Sequence, residues 1–277
     1  MAVLLLLLKG PLQSWGSSSR FSYRQTRLEP TKSAVIGLLA SAQGRTREDS
    51  IEDLARLRFA VRADQPGEVI HDFQTERALP WQANAKRIKM PITHRDYLAD
   101  AVFVVALGAY GDEGTEVLEG IRSAVSHPYW PLYLGRRSCP PSPAVKTWLV
   151  KDESDPVAAL RKQPWQAAGW YQWRHHRQID GDYPLSLAIT ADARGDVSQT
   201  EDNNGRKEES VYTTMEADHP LSFSMRHREY ALRSGIHTSV LVRDLPNSSR
   251  ATSRRSGSTH DSDTVPAFTG DSDPMGF

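Results

Sequence analysis

A single cysteine, Cys139, is all that the 277-residue chain contains. That excludes an intramolecular disulfide framework and structural zinc sites of the cysteine-rich kind. Net charge is missing as well: 34 Lys and Arg balance 34 Asp and Glu, for a formal sum of +0. A uniformly basic, histone-like protein is thereby excluded. A local basic face is not, because a partner feels the surface in front of it rather than the sum. Hydrophobic residues make up 39%, somewhat below the globular average, so part of the chain should carry little core. Long apolar runs are scarce. The clearest, Ala2–Leu8 (AVLLLLL), is far below the roughly 20 residues needed to span a bilayer. It lacks the preceding Lys or Arg of a signal peptide, and Lys9-Gly10-Pro11 follows it instead of a small-residue cleavage site. A strand buried on both faces fits it better. With one cysteine and no membrane segment, the chain reads as cytoplasmic.

Signatures of catalysis are equally sparse. Nine histidines invite a metal, yet His175 and His176 are adjacent and point to different sides of any regular element. No H-x-x-x-H pattern accompanies them, and neither a Gly-rich phosphate loop nor a G-x-S-x-G elbow is present. No metal and no cofactor is expected. Cys139, beside Arg136 and Arg137 but with no histidine nearby in sequence, reads as a small packing residue.

What is present is a regular alternation of elements. After the first strand, Thr31 offers a helix N-cap, and Val35, Ile36, Leu38, Leu39 and Ala42 recur at helical spacing until Gly44. Ser50 caps a shorter helix. Leu57–Ala63 alternates apolar residues against Arg58 and Arg62, the pattern of a half-buried strand. Ala101–Gly108 is a second strong strand, and a helix from Val117 closes at His127-Pro128. A short strand is expected near Pro131–Leu134. Strand, helix, strand, strand, helix, strand is the ferredoxin-like order, an α+β fold with both helices on one face of an antiparallel sheet. The 1–140 region is thus expected to form one domain, interrupted by a long basic insert carrying Arg77, Lys86, Arg87, Lys89 and Arg95. Pro140-Pro141-Ser142-Pro143 reads as a linker to a smaller β-rich domain over 145–240 with little helix. Asp192–Glu209 is polar and acid-rich, a surface loop. The tail 247–277 is Ser, Thr, Asp and Arg with almost no apolar residue, and disorder is expected there.

Three segments carry the candidate chemistry. Gly10–Gly16 (GPLQSWG) joins a glycine-bounded turn to Gln13 and Trp15, whose indole could stack on a base. Pro30-Thr31-Lys32-Ser33 opens a helix, where free backbone donors, a lysine and hydroxyls suit a phosphate. Tyr133–Pro140 (YLGRRSCP) follows a glycine with Arg136, Arg137 and Ser138, able to fork onto phosphates. Arg20, Tyr23 and Arg24 add cations beside aromatics between the first two segments. A basic stretch interleaved with aromatics is the footprint of a single-stranded nucleic-acid groove.

At these segments the chain resembles the CasD family, the CRISPR-associated subunit of type I-E Cascade. The match lies in GPLQSWG at Gly10–Gly16, PTKSAVIGLL at Pro30–Leu39, THRDYLADAVF at Thr93–Phe103 and YLGRRSCP at Tyr133–Pro140. The resemblance implies a RAMP domain that grips the 5′ handle of the CRISPR RNA without cutting it. Its handle contacts are implied at Gln13, Trp15, Thr31, Lys32, Ser33, Arg95, Arg136 and Arg137. Arg20, Tyr23 and Arg24 rest on composition alone. It also implies a β-hairpin thumb, Phe73–Tyr97, that packs on the adjoining Cascade backbone subunit, and contact with the large, PAM-reading subunit. Two rival readings remain open: a repeat endoribonuclease, as CasD-like proteins of another subtype are, and a purely structural assembly subunit.

Overall fold

The computed structural model describes residues 2–16, 22–75, 92–111, 113–179, 181, 184–193 and 212–246. Arg20, the insert cations Arg77, Lys86, Arg87 and Lys89, most of the acidic segment, and the tail 247–277 lie outside them. In chain order the strands are β1 (Ala2–Lys9), β2 (Leu12–Gln13), β3 (Tyr23–Arg24), β4 (Arg58–Gln65), β5 (Glu68–Gln74), β6 (Thr93–Ala99), β7 (Val102–Gly108), β8 (Lys146–Lys151), β9 (Ser186–Asp192), β10 (Tyr212–Ser222) and β11 (Glu229–Leu241). The helices are α1 (Lys32–Ala42), α2 (Glu52–Ala55), α3 (Gly114–Ser126), α4 (Pro156–Arg161) and α5 (Gly169–Ile179).

Strand β1 sits inside a sheet ordered β10-β11-β9-β4-β7-β1-β8, antiparallel to both of its neighbours. Side chains alternate across a strand. Leu4, Leu6 and Leu8 therefore enter the core under α1 and α3, while Val3 and Leu5 enter a second cluster under α4. Both faces are covered, which is why the run is apolar throughout. Helix α1 buries Val35, Ile36, Leu38 and Leu39, and the Thr31 hydroxyl accepts from the Ala34 N–H as its N-cap. The chain leaves α1 through Gly44, whose φ of +77° suits glycine.

Several expectations are corrected. Pro131–Leu134 is not a strand; the place beside β1 is taken by β8, a segment expected to open the smaller domain. The polyproline stretch is thus no break in the sheet, and β9–β11 extend that sheet from β4. Helices α4 and α5 occupy the region expected to hold little helix. The N-cap position of α2 is Ile51, one residue later than expected, while the Ser50 hydroxyl still accepts from the Glu52 N–H (3.4 Å). Arg62, read as facing solvent, is fully buried, because α4 covers the face to which the alternation assigned it.

A second, smaller sheet stands at the end of β1. In it β6 pairs with β5 on one side and with β2 and β3 on the other. The β5–β6 register runs from Glu68–Ala99 to Gln74–Thr93, the two ends of the long insert. This sheet brings Gly10–Gly16, the 23–24 segment and the insert's base into one neighbourhood.

Candidate nucleic-acid interface

The loop 135–138 is folded by short backbone bonds: Leu134 N–H donates to Cys139 O (2.7 Å) and Cys139 N–H to Arg136 O (2.9 Å). It is pinned to the first segment where Ser14 N–H donates to Leu134 O (3.0 Å). Gly135 sits at φ +93°, and a Cβ there would lie 1.7 Å from the Ser14 carbonyl oxygen. Only glycine fits so close an approach.

Between these two segments and α1 lies a cleft of about 520 Å³. Ser14 and Gly16 line it from the first segment, Ser33 and Gly37 from α1, and Tyr133, Gly135 and Arg136 from the third. All three candidate segments therefore meet in one concavity. Arg45, Arg47 and Arg228 add guanidiniums to its wall, and Phe223 and Tyr230 add rings, with no carboxylate among the described residues that line it. Arg45 is chelated by Asp53, whose carboxyl its hydrogen bonds hold below the usual range. Arg47 and Arg228 form no ion pair among the described residues, and the Arg47 Nη1 donates to Met225 Sδ (3.1 Å).

Arg136 marks where the cleft passes into the smaller sheet. It donates to the carbonyls of Asp96 (3.0 Å) and Arg24 (2.7 Å), and its guanidinium lies 4.8 Å from the centre of the Tyr97 ring. Arg24 and Arg95 are register partners on β3 and β6, and the Arg95 Nε is buried with no hydrogen-bond partner among the described residues. Exposed rings continue the strip: Tyr23 lies 5.8 Å and Phe73 5.5 Å from His94, centre to centre. Arg137 and Ser138 are exposed beside Arg136. Together these groups form a basic, aromatic track.

Other expected contacts are placed differently. Trp15 is fully buried in the main core, and its indole N–H donates to Gln13 Oε1 (3.1 Å). Gln13 is equally buried and donates to Ala101 O (2.7 Å). Neither presents a face to a ligand: they brace the turn from within, because its glycines fold the chain back onto the sheet. The start of α1 is filled as well. Lys32 N–H donates to Asp218 Oδ2 (2.8 Å), and Lys32 Nζ pairs with Asp192 (2.8 Å). Arg233 binds both carboxylates, completing a knot among α1, β9, β10 and β11. The helix N-terminus and lysine expected to hold a phosphate thus hold the protein's own carboxylates. Thr31 is buried as the cap, which leaves Ser33 as the one member of that segment on the cleft. Cys139 is buried, and desolvation pushes its thiol above the ordinary value.

Sequence reasoning missed Arg228, Phe223 and Tyr230, which reach the cleft only because β10 and β11 join the sheet. It also missed Asp192, Asp218 and Arg233, whose pairing with Lys32 spans too many residues to leave a local pattern.

Beside the knot, burial lowers His219 and His237 below their ordinary 6.5. His237 lies between the hydroxyls of Thr190 (3.0 Å) and Thr214 (2.7 Å). A depressed folded pKa means that the unfolded chain takes up protons first as pH falls. Their stabilisation should be full above about pH 6.5 and disappear as pH drops through the folded values. Thermal melts between about pH 7.5 and 5.5 should show a falling Tm, with a shallower fall in His237→Gln. An unchanged slope in that variant would remove His237 as a source.

Known proteins share this architecture. The family described as CRISPR-associated protein (Cas_Cas5) matches residues 3–236. The "CRISPR system Cascade subunit CasD" of Escherichia coli (strain K12) is 35% identical over 149 residues. That alignment covers 50% of this chain and 66% of the relative, just under two thirds of its length. A chain of a CRISPR RNA-guided surveillance complex superposes with a TM-score of 0.63 at 31% identity, covering 90% of this chain and 95% of the other. A crystal structure of a Cas protein superposes with a TM-score of 0.57 at 31% identity, covering 88% and 97%. Among the described residues, no helix is long and apolar enough to cross a membrane.

Proposed function

Because this chain belongs to the CRISPR-associated protein family Cas_Cas5, we propose that it is a Cascade subunit that binds and caps the 5′ handle of the CRISPR RNA. The observation that carries this reading is the meeting of three sequence segments in one cleft, with no carboxylate among the described residues that line it, continuing into the Arg24, Arg95 and Arg136 track. Phosphates would lie on Arg136, Arg137, Arg47 and Arg228, with Ser33 and Ser138 as further donors. Unpaired bases would stack on Tyr23 and the rings near His94, the role first expected of Trp15.

The strand order β8-β1-β7-β4, with α1 and α3 packed on one face, supports the ferredoxin-like assignment. Strands β5 and β6, paired across the ends of the insert, support a β-hairpin thumb reaching the adjoining backbone subunit. Contact with the large, PAM-reading subunit belongs to the same proposal.

Binding without cleavage is part of the reading. Metal-independent cleavage needs a base and an acid held at one phosphate. Lys32 is salt-bridged among carboxylates and so withdrawn from either role. Other titratable groups beside the track are Tyr23, His94 and His71, the last held by Asp96 (2.8 Å), and the cleavage assay below tests them. Titration of the full chain with handle RNA at several salt concentrations is the test. Arg136→Ala should weaken binding and reduce the salt slope by roughly 0.7 for each phosphate left unneutralised. Unchanged affinity in Arg136→Ala and Arg228→Ala would refute the cleft, and a specific cyclic-phosphate product from repeat RNA would refute the non-catalytic reading.

A further inference from the structure

Helix α5 (GWYQWRHHRQI) turns one face inward and leaves the other bare. Tyr171 and Ile179 pack on the small cluster of Trp165, Leu187 and Val242. The opposite positions, Trp170, Trp173, Arg174 and Arg177, follow i, i+3, i+4, i+7 spacing and are exposed. Exposure reaches 76% at Trp173 and 49% at Trp170. Large indoles left in water on one stripe mark an interaction surface rather than a core element.

The chemistry of the stripe says what it fits. Helix α5 carries no carboxylate, and each tryptophan is followed one turn later by an arginine. The Arg174 guanidinium lies 5.1 Å from the centre of the Trp170 ring, and Trp173 and His176 stack at 6.2 Å. The two Trp–Arg pairs are offset by about 4.5 Å along the axis, short enough for neighbouring nucleotides to be met together. Tryptophan and arginine also serve protein interfaces. What favours nucleic acid is that no carboxylate on the helix offsets these cations, so the interleaved indoles and guanidiniums form a stacking platform with phosphate donors.

We propose that the outer stripe of α5 is a second binding surface, for single-stranded nucleic acid, distinct from the cleft. The two surfaces lie on opposite sides of the large sheet. Helix α1 packs on the face occupied by Leu4, Leu6 and Leu8, whereas Leu187, under α5, shares its side of β9 with Ile189 in the cluster beneath α4. One short strand therefore cannot fill both, and the inference stands whether or not the cleft holds the handle.

The test uses the full chain and a fluorescent oligonucleotide of mixed sequence without handle bases, carrying 5-bromouracil for photocrosslinking. Crosslinks should map to the peptide holding Trp170 and Trp173. Trp173→Ala should weaken binding about fivefold or more, and Trp173→Phe should restore part of it. Arg174→Gln with Arg177→Gln should flatten the salt slope by about 1.4, from roughly 0.7 per phosphate. Being exposed, these positions should leave the melting temperature unchanged. Crosslinks confined to other peptides, with affinity unaltered in both variants, overturn the proposal. So does a variant that keeps oligonucleotide affinity but no longer co-purifies with another Cascade subunit, which would make the stripe a protein-docking surface.

Discussion

Arg62→Met is expected to lower the unfolding free energy by about 3–5 kcal/mol, the range for removing one partner of a buried pair. Arg62 and Asp64 are both fully buried, two residues apart on β4. The guanidinium donates to both carboxylate oxygens (2.6 and 2.8 Å) and also to the carbonyls of Leu160, Gln163 and Pro164. It ties the end of α4 and the loop after it to the sheet. Asp64 in turn accepts from the Gln166 N–H (2.6 Å), and its own carbonyl accepts from the Trp165 indole (2.8 Å). Methionine fills much of the volume but removes the guanidinium from a buried carboxylate and three carbonyls. Gln163 N–H remains on Leu160 O, Gln166 Nε2 on Pro164 O and Gln166 N–H on Asp64, too few donors to replace it. Burial already pushes the Asp64 carboxyl up, so the variant should recover part of its loss in acid, where that group takes a proton. Denaturant titrations at two pH values check this. Adding Asp64→Asn, which keeps an acceptor for Gln166, should also return stability. A loss below about 1 kcal/mol would mean that the pair matters little.

Gly135→Ala should be the most damaging single-methyl change at the cleft. Gly135 and Gly111 both have positive φ, +93° and +82°, and thus share the backbone penalty of about 1–2 kcal/mol for a side chain there. They differ in space. Nothing lies within 4 Å of a Cβ at Gly111, whereas one at Gly135 would meet the Ser14 carbonyl oxygen at 1.7 Å. The 135–138 loop must then separate from the first segment, adding roughly 1–3 kcal/mol of overpacking and moving Arg136 off its carbonyl anchors. Gly111→Ala should cost stability alone. Gly135→Ala should cost more stability and also handle-RNA affinity, read by melting and by binding isotherms. Equal melting temperatures, or unchanged affinity at Gly135→Ala, would disprove the anchoring role.

Much of the fold was legible because it is local. The AVLLLLL run is a strand apolar on both faces, and the 3.6-residue recurrence after Thr31 is a capped helix. The three segments were legible as well, as glycines, hydroxyls and arginines at unusual density, and they do meet at one cleft. Their individual roles were not. Trp15 looks like a stacking face and is core; Lys32 looks like a phosphate ligand and is bound by Asp192.

By itself the sequence determined β1, β4, β7, α1 and α3, three of the segments that line the cleft, and the absence of a disulfide framework. These depend on periodicity, on caps and on residue type within a few positions. The tertiary structure alone decided which cations face solvent. Arg62 is covered by α4, Lys32 is paired across 160 residues with Asp192, and Arg228 is carried to the cleft by the β10–β11 pair. The physical reason is common to all three. A charge is buried, paired or free according to what packs against it, and those neighbours come from distant parts of the chain that leave no period or spacing to read.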